Sequence, residues 1–241
     1  MEVNTKVNLS GLILDNPVIP ASGTFGFGKE YVDFYDINIL GSISIKGTTV
    51  QRRKGNPQPR IAECYSGLIN SVGLENPGME NVIQKELKDL EKIYRKPVIA
   101  NISGFSVEEY VTLAREMDKV DNVGIIEVNI SCPNVDHGGL AFGTNADNVR
   151  ELTKKIKEVT TKPVYMKLSP NVTDIKEIAR AAQEGGADGI SLINTLMGMR
   201  IDINRRKPVI ANKKGGFSGP AIFPVALRMV YEVYEATNLP I

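Results

Sequence analysis

The feature that most constrains this chain is an alternation: short β-branched runs are followed, again and again, by amphipathic helical stretches. That is the rhythm of a parallel sheet covered by helices. The opening "KVNLSGLILDNPVI" predicts two short strands joined as a hairpin at Ser10–Gly11, then a first core strand near Val18–Pro20. Further strands are predicted at Ile39–Lys46, Pro97–Asn101, Gly124–Ile130, Pro163–Leu168 and Ala187–Ile193, with a last one starting at Leu239–Ile241. Helices are predicted over Val82–Tyr94, Val107–Lys119, Ala146–Val159, Ile175–Glu184 and Ile222–Ala236. In the fourth, Ile175, Ile178, Ala179 and Ala182 share one face, and Gly185–Gly186 supplies a stop signal. Strands such as "VGIIEV" read as apolar on both faces, as burial between a barrel interior and an outer helix layer requires.

So many β/α units in series favour an α/β fold of the (β/α)8 TIM-barrel type over an open doubly wound sheet. The first turn agrees, because "ASGTFGFGKEY" has glycines but not the G-x-G-x-x-G spacing of a dinucleotide fold. Seven strand openings do not close an eight-stranded barrel, and an open edge is sticky. The expectation is therefore one barrel domain over residues 1–241, with an N-terminal hairpin and insertions at the mouth, in a chain truncated before its last strands.

Composition narrows the function. With 29 basic against 28 acidic side chains the chain has no electrostatic footprint for nucleic acid. The basic run Gln51–Gly55 lies in a Pro/Gly-rich loop and reads as solvated or cofactor-side charge. No apolar run is long enough to span a membrane, no secretory signal is visible, and the expected location is the cytoplasm. Two cysteines, Cys64 and Cys132, and one histidine, His137, are too few for a disulfide framework, a zinc site or a histidine-rich metal centre. No metal site is expected.

Polar groups at the C-terminal ends of barrel strands face the ligand. Nearly every predicted strand ends in one: Ser22, Lys46, Asn101, Asn129, Lys167, then Asn194–Thr195. Capping explains single Asn or Ser residues, but not two lysines and three asparagines at successive ends. Amides in number, with few carboxylates, suit a neutral flat heterocycle bearing C=O and N–H edges. They suit glycoside hydrolysis poorly, since that needs opposed carboxylates. The lysines can oppose negative charge on a substrate or a reduced cofactor.

The reactive centre is expected in "NISCPNVDHGG", where Cys132 follows a strand that Pro133 prevents from continuing. A thiol there can act as a general base if its thiolate is stabilised. His137 reads as a loop residue, and Cys64 as a buried structural thiol. The stretch "CYSGLINSVGLENPG" predicts an insertion over the mouth that brings Asn70 from above, and the polar stretch Thr195–Asn212 a second excursion, a loop able to act as a lid.

Seven segments carry a resemblance: "IPASGTFGFGKEY", "SIKGTTVQRRKGNPQPRI", "SGLINSVGLENPG", "NISCPNVDHGG", "MKLSPNVTDI", "LINTLMGMRIDI" and "GGFSGPAIFPVALRMV". The chain resembles the catalytic subunits of class 1B dihydroorotate dehydrogenases along essentially its whole length. The resemblance implies a barrel with FMN across the mouth, contacted by Ala21, Ser22, Lys46, Gly47, Asn101, Asn129, Lys167, Ile193, Gly216 and Gly219. It implies orotate held by Lys46, Asn70, Gly73, Leu74, Asn129, Asn134, Asn194 and Thr195. It further implies that Cys132 removes the C5 proton of dihydroorotate while C6 gives hydride to flavin N5. The "GTFGFGKEY" and "SCPNVDHGG" forms imply class 1B, whose partner subunit carries FAD and a [2Fe–2S] cluster and passes electrons to NAD; two cysteines here cannot hold that cluster. A homodimer of catalytic subunits within a heterotetramer is implied with it. The alternatives are the fumarate-linked class 1A form, or another FMN-dependent dihydropyrimidine or dihydrouridine oxidoreductase.

Overall fold

The computed structural model describes residues 3–131 and 142–241. In chain order its strands are β1 (Val7–Leu9), β2 (Leu12–Leu14), β3 (Ile61–Cys64), β4 (Gly67–Asn70), β5 (Val98–Ile102), β6 (Val123–Asn129), β7 (Val164–Lys167), β8 (Gly189–Ser191), β9 (Leu196–Met199), β10 (Ile201–Asp202), β11 (Lys207–Pro208) and β12 (Lys214–Ser218). The helices are α1 (Ser22–Phe25), α2 (Met79–Asn81), α3 (Leu87–Ile93), α4 (Val107–Asp118), α5 (Ala146–Lys157), α6 (Ile175–Glu184) and α7 (Phe223–Ala236), with a π-turn over Val82–Glu86 joining α2 to α3. Cys132, Asn134 and His137 lie outside the described residues.

The scaffold is a parallel sheet in the order β5-β6-β7-β8, its strands linked by α4, α5 and α6. Each of those helices begins at a side-chain cap: Ser106, Asn145 and Asp174 accept from backbone N–H groups of the first turn, satisfying donors that a helix start leaves free. Two segments expected as full strands contribute less. The Ile39–Lys46 region starts in a 3-10 turn and then meets β5 through single bridges at Ser44↔Ile99 and Thr48↔Ile102. The Val18 and Pro240 carbonyls each accept one hydrogen bond, from Gly41 N–H and Ile190 N–H, in place of a ladder. An α/β fold with a parallel core is established by these contacts.

The parallel strands carry buried apolar residues on both faces, as "VGIIEV" suggests, but the inner face is apolar only in part. Ala100, Ile102, Ile126, Val128, Val164, Met166 and Ile190 point outward and pack under the helices in the main core. On the inner face, Ile99, Ile125 and Tyr165 form a small apolar base with Leu9, Leu12 and Ile19 of the N-terminal segment. Above that base the inner face turns polar, because a strand sends alternate residues to one side.

The two mouth insertions differ most from expectation. The Thr195–Asn212 stretch is not a loop throughout: β9, β10 and β11 occupy much of it. β9 pairs with β12, which pairs with β4 and so with β3, giving one antiparallel sheet, β3-β4-β12-β9. Its glycines are packing requirements. A Cβ at Gly215 would lie 2.5 Å from the Asn70 carbonyl oxygen, and one at Gly216 would lie 1.9 Å from Thr195 Oγ1. Cys64, at the end of β3, is half-buried and free rather than a core thiol.

Candidate active site

The polar inner face centres on Glu127 of β6, a residue that the strand-end pattern overlooks. Its side chain is 9% exposed. The Oε2 atom accepts from Ser44 Oγ at 3.1 Å and Asn101 Nδ2 at 2.5 Å, and Oε1 accepts from Ser191 Oγ at 2.8 Å. Lys167 Nζ stands 3.7 Å from Oε2. Sheet register explains the cluster: Asn101 is Glu127's neighbour on β5, while Asn129, Lys167 and Ser191 lie in one row a pleat higher. A lone acidic residue inside an apolar strand, two positions before Asn129 and hence on its face, is the sequence signal that could have revealed it.

A cavity of about 530 Å3 runs along this face, lined among others by Ala21, Ser44, Glu127, Lys167, Ser191 and Ile193. Ala21, Lys167 and Ile193, three of the expected cofactor contacts, thus face one space. Ser22 is buried at the start of α1, and Lys46 N–H donates to the Gly26 carbonyl of the turn that follows. The Lys46 side chain is half-buried and forms no ion pair among the described residues. Burial pushes its pKa below the usual lysine value, with the Glu75 carboxylate opposing that shift and Arg60 adding to it.

Asn101 carries the clearest sign of a ligand. It is 1% exposed, and its Oδ1 atom has no hydrogen-bond partner; nearby, Ser103 Oγ has none either. Buried acceptors are ordinarily satisfied. Gly47 lies directly beside it, since a Cβ there would sit 2.8 Å from Asn101 Oδ1 and 3.7 Å from Ser103 Oγ. Leu74 also reaches this point, its Cδ2 lying 3.6 Å from the same position.

The expected substrate residues converge from both sheets. Asn194 Nδ2 donates to Asn129 Oδ1 at 3.3 Å, which leaves Asn129 Nδ2 without a partner among the described residues. Asn70 pairs with Gly216 in the antiparallel sheet, and Thr195 lies against Gly216. Asn171, absent from the expected set, holds this corner: its Nδ2 donates to the Thr195 carbonyl and its Oδ1 accepts from Met197 N–H. Gly73 and Leu74 both adopt positive φ, +80° and +55°, and Arg53 fixes them by donating from Nε to the Gly73 carbonyl while its guanidinium lies 4.6 Å over the Phe105 ring. This gives the basic loop a defined contact. Gly219, with φ of +121°, abuts Gly67, so packing alone requires glycine there.

The family model described as dihydroorotate dehydrogenase matches residues 4–241. The chain belongs to the dihydroorotate dehydrogenase family. Family members named "Dihydroorotate dehydrogenase B (NAD(+)), catalytic subunit" from Bacillus cereus strain AH187 and Bacillus anthracis strain A0248 are each 57% identical over 236 residues, spanning 98% of this chain and 76% of theirs. Among solved structures, the Eimeria tenella DHODH in complex with ferulenol superposes with a TM-score of 0.75 at 20% identity, over 98% of this chain and 70% of that one. At that identity the likeness speaks for the fold. Among the described residues no helix is long and apolar enough to cross a membrane.

Proposed function

We propose that this chain is the FMN-bearing catalytic subunit of an NAD-linked dihydroorotate dehydrogenase, which oxidises (S)-dihydroorotate to orotate in pyrimidine synthesis. The observation that carries the cofactor assignment is the buried, unpartnered Asn101 Oδ1 beside Gly47, on the strand face that also carries Lys167. A buried acceptor with a lysine on the same strand face fits a flat ring with an N–H edge and developing negative charge.

On this reading Asn101 and Asn129 hold the edge of FMN, Lys46 and Lys167 oppose its charge, and Ala21, Ser22, Gly47 and Ile193 shape the surface it lies on. Gly216 and Gly219 complete the set from the antiparallel sheet. FMN, when bound, supplies the two-electron acceptor. The chain supplies orientation and the proton acceptor. Asn70, Asn129, Asn134, Asn194 and Thr195 grip the lactam edges of the substrate, Lys46 meets its carboxylate, and Gly73 and Leu74 close over it. Held so, the C5–H bond faces Cys132, whose thiolate takes the proton; much of the rate enhancement comes from that fixed orientation.

The scaffold is read as a (β/α)8 barrel, with residues 1–241 forming one FMN-binding domain in the cytoplasm. Electrons pass to NAD through a partner subunit carrying FAD and [2Fe–2S], in a heterotetramer built on a dimer of catalytic subunits. The names of the 57% identical relatives support this over the fumarate-linked form. Anaerobic titration with dihydroorotate is expected to bleach a bound yellow flavin stoichiometrically, and NADH to bleach it only when the partner subunit is present. Protein that purifies without flavin and cannot be loaded with FMN refutes the assignment.

A further inference from the structure

We propose that Glu127 is a positioning residue of the cofactor face: it sets which atom of Asn101 faces the cofactor, and it offsets one of the two lysine charges there. The inference rests on the FMN reading above. A carboxylate only accepts hydrogen bonds. Because Glu127 Oε2 takes Asn101 Nδ2 at 2.5 Å, the amide cannot turn round without setting its carbonyl oxygen against the carboxylate. Asn101 is therefore fixed with Oδ1 turned away from Glu127, and Oδ1 is the atom left unpartnered beside Gly47.

Glu127 Oε2 also accepts from Ser44 and stands 3.7 Å from Lys167 Nζ, so Lys167 meets a cofactor as half of an ion pair, while Lys46 forms no ion pair among the described residues. Ser44 and Ser191 hold the carboxylate from opposite sides, one beside β5 and the other on β8. A carboxylate at 7% overall exposure, held by three hydrogen-bond donors and standing beside Lys167, has its direction fixed before any ligand arrives. One negative charge placed beside Lys167 disfavours extra electrons on a ring bound above it. Glu127 thus keeps the reduced cofactor from being bound too tightly to hand its electrons on.

The test is redox potentiometry with FMN-affinity measurement on the loaded protein, for the parent, Glu127→Gln and Glu127→Asp. In Glu127→Gln the midpoint potential should rise, with the ratio of oxidised to reduced FMN dissociation constants increasing about tenfold. Oxidised FMN itself should bind more weakly, because the amide of Asn101 is no longer fixed. Glu127→Asp retains the charge and should keep the parent ratio within about twofold, while its shorter reach weakens oxidised FMN binding. A residue that only held strands together would change melting temperature and leave the ratio alone. Glu127→Gln with the parent ratio overturns the proposal, as does Glu127→Asp with the raised ratio of the Gln form. If Glu127→Gln does not fold, Ser44→Ala/Ser191→Ala frees the carboxylate instead, and parent-level affinity for oxidised FMN there overturns it. Failure of the parent to bind FMN at all counts against the cofactor reading, not against Glu127.

Discussion

The floor of this site and its roof are built on different principles. The floor is the inner face of β5–β8, where each polar group takes its place from strand alternation and from register with the next strand. The roof is the antiparallel sheet β3-β4-β12-β9, where Asn70, Thr195 and Gly216 meet only because segments distant in sequence pair, and pair closely enough to exclude a Cβ. The floor is largely buried and carries Glu127 beside Lys167; the roof is a four-stranded ribbon that includes Gly67, Gly198, Gly215 and Gly216. On the proposed reading cofactor electrostatics belong to the floor, while the substrate is gripped from both sides, by Asn129 of the floor and by Asn70 and Thr195 at the roof. Variants of the floor should change rate and potential, and variants of the roof affinity.

The largest effect is expected at Cys132, which follows β6 in sequence. Cys132→Ala should retain FMN and orotate binding yet slow flavin reduction by dihydroorotate by roughly 10²–10⁴ in stopped flow; reduction at the parent rate would rule Cys132 out as the base. Next comes the roof. Gly216→Ala forces a methyl group into Thr195 Oγ1, so orotate affinity should fall at least about tenfold and stability by roughly 1–3 kcal/mol, with FMN affinity less affected. Equal losses of both ligands would show that roof and floor are not separable.

Lys46 gives a pH test of intermediate size. Burial lowers its pKa in the folded apo protein, so the unfolded chain holds the proton to higher pH. The sign follows: the cost of burying the cation is fully present below the folded pKa and disappears as pH rises toward the ordinary lysine value. Apo protein should therefore gain stability over that alkaline window, and Lys46→Met should abolish the gain, as read by thermal melts. Orotate affinity should run the opposite way, falling as Lys46 deprotonates. The smallest effect belongs to Arg53→Lys, which loses the contact over Phe105 and the bond to Gly73. Orotate should weaken by about two- to fivefold with no change in flavin potential; a changed potential would join the basic loop to the floor.

The sequence on its own marked out the alternation, the helices and the polar strand ends, because these are local properties. Ile175–Glu184 carries its own apolar face and stop signal, and the helix occupies those residues. Lys46, Asn101, Asn129 and Lys167 follow from where apolar runs stop, and the sheet sets Asn101, Asn129 and Lys167 on one face. Tertiary structure alone decided the rest. Glu127 is an isolated charge in sequence, and only register places Ser44, Asn101, Ser191 and Lys167 around it. The pairing of β9 with β12 left no period-two trace, since Gly198, Gly215 and Gly216 have no side chains with which to alternate. Whether strands carry two apolar faces or one is likewise settled by what stands opposite them. Local pattern fixes which way a side chain turns along its own strand; what it meets there depends on residues far away in the chain.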